Sequence, residues 1–266
     1  MLRTVLERIS RRVVLKRRLP ARVGGQYIYV SPDAALKFWK RNLDRTDPAL
    51  FDWASEFINP GDVVWDVGAN VGLFAFAAAS KCGADGRVLA IEADLRLVEI
   101  LRRSARSQSE KTASVVVLPV AVSDQVGVSE FVIAARGRSA NHLAETAGSS
   151  QAGGIRETIM AMTVTLDWLL ERFPAPNVLK IDVEGAEQNV LQGAQKLLAI
   201  HRPKLLCEVH DGNRQTVAEI LGAHGYTMFD LEALLNERTP LELPAFNTLA
   251  VPVARNSVPA SAGSLL

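Results

Sequence analysis

Apolar residues between positions 61 and 252 follow two patterns that alternate along the chain. Short runs of consecutive apolar residues are typical of strands buried on both faces, and apolar positions spaced three to four residues apart are typical of amphipathic helices. The predicted strands lie at residues 63–65, 87–91, 115–118, 178–181, 204–207, 226–230 and 246–251, and the predicted helices at residues 74–80, 95–104, 190–198 and 214–223. This alternation predicts an α/β fold with a doubly wound, mostly parallel sheet and helices on both faces.

The alternation is interrupted between the third and fourth predicted strands. Residues 128–134 and 155–165 have the pattern of two further β segments. The residues between them, 136–154, are rich in Gly, Ser and Ala and show no apolar period. We therefore expect an inserted β-hairpin over about residues 126–165 that carries a mobile loop.

Three segments flank or complete this arrangement. One folded domain is expected over residues 61–252, with a cap segment at residues 23–60 before it. Residues 253–266 are small and polar, and we expect this tail to be disordered. Residues 1–22 form a separate basic arm.

The arm has an unusual charge. It contains eight basic residues against one acidic residue, a net charge of +7, whereas the net charge of the whole chain is +1, so residues 23–266 carry −6. Its apolar residues recur at helical spacing, at positions 2, 5, 6, 9 and 13. Such an amphipathic helix can lie on an anionic membrane, which would place the protein peripherally at the inner membrane surface. The same helix can instead pack on the acidic body or on a second subunit of a homo-oligomer.

The composition narrows the class of protein. With 266 residues, 48% of them hydrophobic and 22% charged, the chain is neither disordered nor a disulfide-rich mini-domain. Cys82 and Cys207 lack the spacing of a disulfide or metal site, which indicates reduced residues of a cytoplasmic protein. Basic residues 16–18 interrupt any secretory signal, and no apolar run reaches the ~18 residues of a membrane span. The net charge of +1 predicts no binding to nucleic acid.

The most informative motif is the run D-V-G-A-N-V-G from Asp66 to Gly72, which follows a predicted strand and precedes a helix. Gly68 permits a tight turn and Gly72 close helix packing, so that backbone N–H groups can approach a nucleotide ligand. Glu92 ends the next strand, where a carboxylate can accept hydrogen bonds from both hydroxyls of a ribose. A turn that only joins strand to helix is the simpler alternative.

The motif differs from that of a dinucleotide-binding protein. Asn70 stands where a glycine would make room for a pyrophosphate, and Asp66 places a carboxylate before the turn. A carboxylate disfavours a pyrophosphate but can bind an ammonium group. S-adenosylmethionine carries an ammonium group, a sulfonium and a ribose, and it is therefore the cofactor that the motif predicts.

Two further clusters of polar residues follow the fourth and fifth predicted strands: Lys180, Asp182 and Glu184, and then Glu208 and His210. Residues two apart on a strand share a face, and the carboxyl ends of parallel strands meet at the ligand-binding edge of the sheet. Asp182 or His210 is the candidate general base. Glu184, Glu208 and Lys180 would orient the acceptor. Alternatively, Asp182, Glu208 and His210 could bind a divalent metal ion, which we do not favour.

These motifs resemble the FkbM family of S-adenosylmethionine-dependent methyltransferases over roughly residues 50–252. The matching segments are G-D-V-V-W-D-V-G-A-N-V-G at residues 61–72, V-T-L-D at residues 164–167 and L-K-I-D-V-E-G-A-E at residues 179–187. Glu187 begins the helix after the last segment, and we expect its charge to serve the helix dipole rather than the site.

The resemblance implies the class I methyltransferase variant of the Rossmann-like fold, a seven-stranded sheet whose last strand is antiparallel. It implies methyl transfer to a hydroxyl of a sugar, glycan or polyketide-type metabolite, and it places Ala121 near the adenine. The expected cofactor-binding residues are Asp66, Gly68, Asn70, Gly72, Glu92, Ala121 and Asp182.

Three functions are consistent with these residues. An S-adenosylmethionine-dependent O-methyltransferase explains all of the motifs. A non-catalytic scaffold protein that keeps a nucleotide pocket, and a nicotinamide-dependent oxidoreductase, are the alternatives. Residues 26–60 and 136–154 are expected to face the acceptor, and their sequences do not identify it.

Overall fold

A β-sheet with helices on both faces forms the centre of the protein in our computed structural model, which describes residues 9–146 and 153–254. In chain order the strands are β1 (Leu15–Arg18), β2 (Tyr27–Val30), β3 (Val63–Val67), β4 (Arg87–Ile91), β5 (Ser114–Leu118), β6 (Ala121–Val122), β7 (Gly127–Ala134), β8 (His142–Leu143), β9 (Ile155–Val164), β10 (Val178–Ile181), β11 (Lys204–Glu208), β12 (Tyr226–Asp230) and β13 (Asn247–Pro252). The α-helices are α1 (Pro48–Phe57), α2 (Leu73–Cys82), α3 (Leu95–Ala105), α4 (Leu166–Leu170), α5 (Glu187–Gln192) and α6 (Arg214–Ala223).

The central sheet contains seven strands in the spatial order β5-β4-β3-β10-β11-β13-β12. Of these strands, β13 alone runs antiparallel to its neighbours. Strands β3, β4 and β10 are buried over nearly their whole length. Because helices cover both faces of the sheet, these strands need apolar residues at consecutive positions, which explains the runs in the sequence. The predicted α/β class is confirmed.

Two apolar cores hold the helices against the sheet. One core contains residues of α1, α2, α3 and the β1–β2 hairpin, and the other contains residues of α4, α5 and α6. Helix α3 shows how the apolar pattern directs this packing, because Leu97 and Leu101 are buried whereas Arg102 and Arg103 are exposed. Burial of such an apolar stripe contributes roughly 25 cal/mol for each Å² removed from water.

The N-terminal region differs from the predicted arm. Residues 1–8 lie outside the described part of the chain, and Val13 is not helical. Strand β1 pairs antiparallel with β2, and Leu19 and Val23, which follow it, are buried in the core. The folded body therefore begins before residue 22, because β1 and the apolar residues after it are part of the packed structure. The expected contacts with a membrane or a second subunit stay predictions.

The insert between β5 and β10 contains the two expected strands, because β7 and β9 pair antiparallel along their length. Strands β6 and β8 extend them to a separate four-stranded sheet in the order β6-β9-β7-β8, which the sequence did not predict. The predicted mobile loop is corrected in part: Arg138–Ala140 form a 3-10 turn, and β8 follows it. Residues 147–152 of this loop lie outside the described residues.

Two further segments lie outside the predicted domain of residues 61–252, the cap segment and the tail. The cap segment contributes β2, two short 3-10 turns and α1. Residues 255–266 of the predicted tail lie outside the described residues. Across the ranges 9–146 and 153–254, no helix has both the length and the apolar character needed to cross a membrane.

Candidate active site

A cavity of about 690 Å³ lies at the carboxyl ends of strands β3, β4, β10 and β11. Cavities of this size bind small-molecule ligands in many proteins. Loops after the strands, the insert, the cap segment and the residues around the start of β13 surround it. All of the predicted site residues except Gly72 line it: Asp66, Gly68, Asn70, Glu92, Ala121, Lys180, Asp182, Glu184, Glu208 and His210.

The turn after β3 needs its unusual residues for steric reasons. Gly68, Asn70 and Gly72 have φ values of +76°, +52° and +87°, in the left-handed region that favours glycine and tolerates asparagine. A Cβ atom on Gly68 would lie 1.8 Å from the carbonyl oxygen of Asp182. A Cβ atom on Gly72 would lie 2.6 Å from the ring of Phe76, so Gly72 supports the turn by helix packing.

Asp66 is a completely buried carboxylate at the end of the cavity. Neither of its oxygens accepts a hydrogen bond from the described residues, although Lys180 Nζ lies 3.4 Å from Oδ1. Burial raises the pKa of Asp66, and the positive charge of Lys180 counteracts part of that effect. A buried carboxylate without hydrogen bonds is costly unless a ligand supplies the donors, as an ammonium group would.

Glu92 stabilises the turn as well as lining the cavity. Its two carboxylate oxygens accept hydrogen bonds from the backbone N–H groups of Asn70, at 2.8 Å, and Asp94, at 2.9 Å. Burial raises the pKa of Glu92 to about 7. Each oxygen keeps a second lone pair, so the expected binding of ribose hydroxyls is compatible with these bonds and stays a prediction.

The residues of this half of the cavity fit S-adenosylmethionine. The oxygens of Asp66, which accept no hydrogen bond from the described residues, suit an ammonium group. The buried Oδ1 of Asn70 also lacks a hydrogen-bond donor among these residues and suits a further N–H or O–H. Ala121, in β6 of the insert, and Ala93 provide a small apolar surface beside Glu92. The bare backbone of Gly68 leaves room for close approach of the cofactor.

Lys180 and Asp182 form an ion pair beside Asp66. Lys180 Nζ donates a hydrogen bond to Asp182 Oδ2 at 2.9 Å. Burial alone would lower the pKa of Lys180. The negative charges of Asp182 and Asp66 have the larger effect, and the pKa of Lys180 is raised. Lys180 therefore stays charged and balances two carboxylates that otherwise repel each other.

His210 is held by a carboxylate that the sequence analysis assigned to a helix dipole. Nδ1 of His210 donates a hydrogen bond to Glu187 Oε1 at 2.9 Å, and Glu187 is completely buried. The same oxygen accepts the N–H of Gly185 at 2.8 Å, and Asn213 Nδ2 donates to the other oxygen. Glu187 does face the first turn of α5, but its contact with His210, 23 residues away, had no local signal in the sequence.

Two more carboxylates of the site, those of Glu184 and Glu208, interact with each other, and Glu184 also contacts His210. Oε2 of Glu184 lies 3.4 Å from His210 Nε2, and Glu184 has φ +49°. Burial, together with the negative charges of Asp182 and Glu208, raises the pKa of Glu184 to about 7. Burial likewise raises the pKa of Glu208 to about 8, together with the charge of Asp182. The site therefore contains several carboxylates that exchange protons near neutral pH.

The alternative of a metal ion at Asp182, Glu208 and His210 gains no support. Within the described ranges, no group of three or more His, Cys, Asp and Glu side chains is arranged to hold a metal ion. One oxygen of Asp182 pairs with Lys180, and Nδ1 of His210 pairs with Glu187.

An ionic cluster that the sequence analysis missed fastens the insert to the cap segment beside the cavity. Arg138 donates hydrogen bonds to Asp33, at 2.8 Å, and to Asp94, at 2.5 Å. Arg156 contacts the other oxygen of Asp33 at 2.9 Å, and Asn141 donates to Asp94 at 2.8 Å. The two aspartates are almost completely buried, so their charges need these partners.

The far half of the cavity contains no predicted cofactor residue. Leu50 and Trp53 of α1 line it from the cap segment, and Phe246 lines it next to His210. The rings of Phe246 and His210 are 5.9 Å apart between centroids, at an interplanar angle of 70°. Asn247 Nδ2 donates a hydrogen bond to Glu232 Oε1 at 2.7 Å on the same side.

Residues 66–238 match the family described as the methyltransferase FkbM domain. The chain belongs to this family. Membership in the FkbM methyltransferase family confirms the predicted resemblance and favours a methyltransferase over the oxidoreductase and the scaffold protein. The methyl donor that the family implies is S-adenosylmethionine, in agreement with the cavity at Asp66.

Two characterised proteins are similar to this FkbM-family chain. Hexuronic acid methyltransferase AglP of Haloferax volcanii is 26% identical over 194 residues, 72% of this chain and 74% of that protein. The 31-O-demethyl-FK506 methyltransferase FkbM of Streptomyces tacrolimicus is 31% identical over 205 residues, 64% of this chain and 75% of that protein. A solved structure of methyltransferase FkbM from Methylobacillus flagellatus KT has a TM-score of 0.46 and 17% identity, and the match covers 76% of this chain and 50% of that one.

Proposed function

We propose that the protein is an O-methyltransferase that uses His210 as general base. The observation that carries this proposal is the hydrogen bond between His210 and the buried Glu187, in a cavity that also contains the carboxylate of Asp66, whose oxygens accept no hydrogen bond from the described residues. Asp66 would hold the ammonium group of S-adenosylmethionine, and Glu92 its ribose. When bound, this cofactor supplies an electrophilic methyl group on a positively charged sulfur.

The acceptor hydroxyl gives its proton to Nε2 of His210. This nitrogen carries the free lone pair, because Nδ1 must hold a proton in order to donate to the carboxylate of Glu187. Glu187 then stabilises the imidazolium that forms. We prefer His210 to Asp182 as base because Asp182 is ion-paired with Lys180. Glu184 and Glu208 would orient the acceptor from either side.

For the acceptor we propose a hydroxyl-bearing ring, such as the sugar of a glycan or a small metabolite. Phe246 is 53% exposed although it lines the cavity, so an apolar face of its ring is available to a ligand. Asn247 and Glu232 place polar groups beside that ring. A pyranose combines an apolar C–H face with polar edges, and the names of the two characterised relatives refer to a hexuronic acid and to an O-demethylated compound.

The test is a transfer assay with isotopically labelled S-adenosylmethionine and a panel of methyl glycosides of uronic acids and neutral hexoses. We expect a labelled methyl ether from the wild-type protein and a rate ~10²–10⁴-fold lower from His210→Gln. Cofactor affinity, measured by calorimetry, should be unchanged in that variant. A normal rate in His210→Gln contradicts its role as base, and methylation of amines or thiols in place of hydroxyls contradicts the proposed O-methylation.

A further inference from the structure

Five exposed cations form one continuous surface on the side of the molecule formed by β1, β2 and α3. We call it the α3 basic surface, and its members are Lys16, Arg18, Arg102, Arg103 and Arg106. Residues 99, 102, 103 and 106 are spaced by three to four positions, so they lie on one side of α3 and just beyond its end.

Specific contacts join the hairpin to the helix. The backbone N–H of Tyr29 in β2 donates a hydrogen bond to Ser104 Oγ of α3 at 2.8 Å. The guanidinium of Arg103 lies 3.8 Å from the centre of the Tyr29 ring, and Lys16 Nζ lies 4.6 Å from the centre of the Tyr27 ring. The cations of both elements therefore belong to the same surface.

The charges of the α3 basic surface are not neutralised by the protein. Several cations elsewhere in the described residues pair with carboxylates within 4.0 Å, as in Arg22–Asp44, Lys37–Asp47, Arg138–Asp33, Lys180–Asp182 and Arg238–Glu56, whereas others, such as Arg87 and Lys196, do not. None of the five surface cations has such a partner among residues 9–146 and 153–254, and Glu99 is the acidic residue on the exposed side of α3. This concentration of positive charge stands out because residues 23–266 together carry −6.

We propose that the α3 basic surface binds the anionic headgroups of a membrane. A helix beside a two-stranded ribbon presents several cations side by side. Tyr27, whose ring contacts Lys16, is 48% exposed, and Leu95, two turns before Arg102 on the same side of α3, is 61% exposed. Tyrosine and leucine at the edge of a basic surface suit the boundary between headgroups and acyl chains. The exposed side chain of Leu95 suits the acyl chains of a membrane, whereas a nucleic acid offers no comparable apolar layer, so a membrane is the better match.

Flotation of the full-length protein with vesicles tests the proposal. We expect binding to vesicles of phosphatidylcholine mixed with phosphatidylglycerol, no binding to phosphatidylcholine alone, and loss of binding as salt is added. The triple variant Arg102→Glu/Arg103→Glu/Arg106→Glu should bind more than ~100-fold more weakly, since each cation near an anionic membrane contributes about fivefold, equivalent to ~1 kcal/mol. Glutamate is a good helix former, so α3 should persist, which circular dichroism verifies.

The control carries the same charge change on other exposed positions, Arg87→Glu/Arg172→Glu/Lys196→Glu, and should bind like the wild type. Absence of binding to anionic vesicles at low salt overturns the proposal, and so does an equal loss in the control. A variant that begins at residue 9 should still bind; loss of binding on this truncation alone would assign the contact to the first eight residues instead. Tighter binding to a single-stranded RNA than to the anionic vesicles would assign the surface to nucleic acid.

Discussion

The buried carboxylate of Glu187 accepts a hydrogen bond from Nδ1 of His210 at 2.9 Å. Because a carboxylate can only accept, this contact keeps the ring proton on Nδ1 and leaves the lone pair on Nε2, which lies 3.4 Å from Glu184 Oε2. Asn213 and the N–H of Gly185 hold Glu187 in place from the other side. The pair therefore presents one defined imidazole tautomer to a ligand.

Glu187→Gln tests this relationship. We expect the methyl-transfer rate to fall about 10²-fold or more, because the amide neither selects the tautomer as strongly nor stabilises the imidazolium. The dissociation constant for S-adenosylmethionine should change less than about twofold, since Glu187 does not line the cavity. Glu219→Gln, exposed on α6, is the control and should keep the wild-type rate. An unchanged pH–rate profile in Glu187→Gln would show that Glu187 only caps α5.

Asp66→Asn should weaken the binding of S-adenosylmethionine while leaving the fold intact. Loss of a charge-assisted hydrogen bond costs ~1.5–3 kcal/mol, or about 10- to 150-fold in the dissociation constant. The free energy of unfolding without ligand should change little, because the variant removes a buried carboxylate that accepts no hydrogen bond, and Lys180 keeps its ion pair with Asp182 when it loses the contact with Asp66. Calorimetric titration and thermal unfolding measure the two effects, with the exposed Asp85→Asn as control. Wild-type affinity in Asp66→Asn would remove this residue from the cofactor site.

Alanine substitutions at Gly61 and Gly68 separate the effect of backbone strain from that of the close contact with Asp182. Gly61 and Gly68 both have positive φ, +85° and +76°, so alanine at either position carries a similar strain of ~1–2 kcal/mol. At Gly61 a new Cβ has open space, whereas at Gly68 it meets the carbonyl oxygen of Asp182 at 1.8 Å. We expect Gly61→Ala to lower stability modestly and keep cofactor binding, and Gly68→Ala to lower stability further and abolish binding. Equal effects of the two substitutions on binding would mean that the close approach to Asp182 has no functional role.

The raised pKa of Glu208 predicts that stability falls with pH. Its pKa is about 8 in the folded protein against an ordinary value of 4.5, so between these values the unfolded chain has lost a proton that the folded protein keeps. The contribution of protonated Glu208 to the free energy of unfolding is therefore fully present below pH 4.5. It is lost progressively as the pH rises towards 8.

Glu208→Gln should flatten this pH dependence and raise the melting temperature at pH 8. A gain of one kcal/mol corresponds to about 2–4 °C for a protein of this size. Some dependence should remain, because the pKa of Glu184 and that of Glu92 are also raised, each to about 7. Thermal unfolding from pH 5 to pH 9 measures the effect, and the exposed Glu242→Gln should reproduce the wild-type curve. A parallel curve for Glu208→Gln would show that Glu208 is already ionised at neutral pH.

The sequence by itself determined the features that depend on neighbouring residues. Apolar runs predicted the strands of the central sheet, because a strand buried on both faces must be apolar at consecutive positions. The motif from Asp66 to Gly72 predicted the turn, because the positive φ found at residues 68, 70 and 72 favours Gly and tolerates Asn. The polar residues at strand ends predicted one shared cavity, because the carboxyl ends of parallel strands meet at one edge.

Only the tertiary structure decided which of these polar groups act together. Glu187 and His210 are 23 residues apart, and Arg138 and Asp33 are 105 residues apart, so no local pattern relates them. Both contacts form because a charge buried by folding needs a partner wherever the chain supplies one. The basic arm at residues 1–22 shows the same limit, because its charges suggested a separate segment. In the structure β1 pairs with β2, and Leu19 and Val23 are buried, so the second half of the arm belongs to the folded body. Local sequence sets periodicity and turn geometry, whereas long-range packing selects the partners of buried charges.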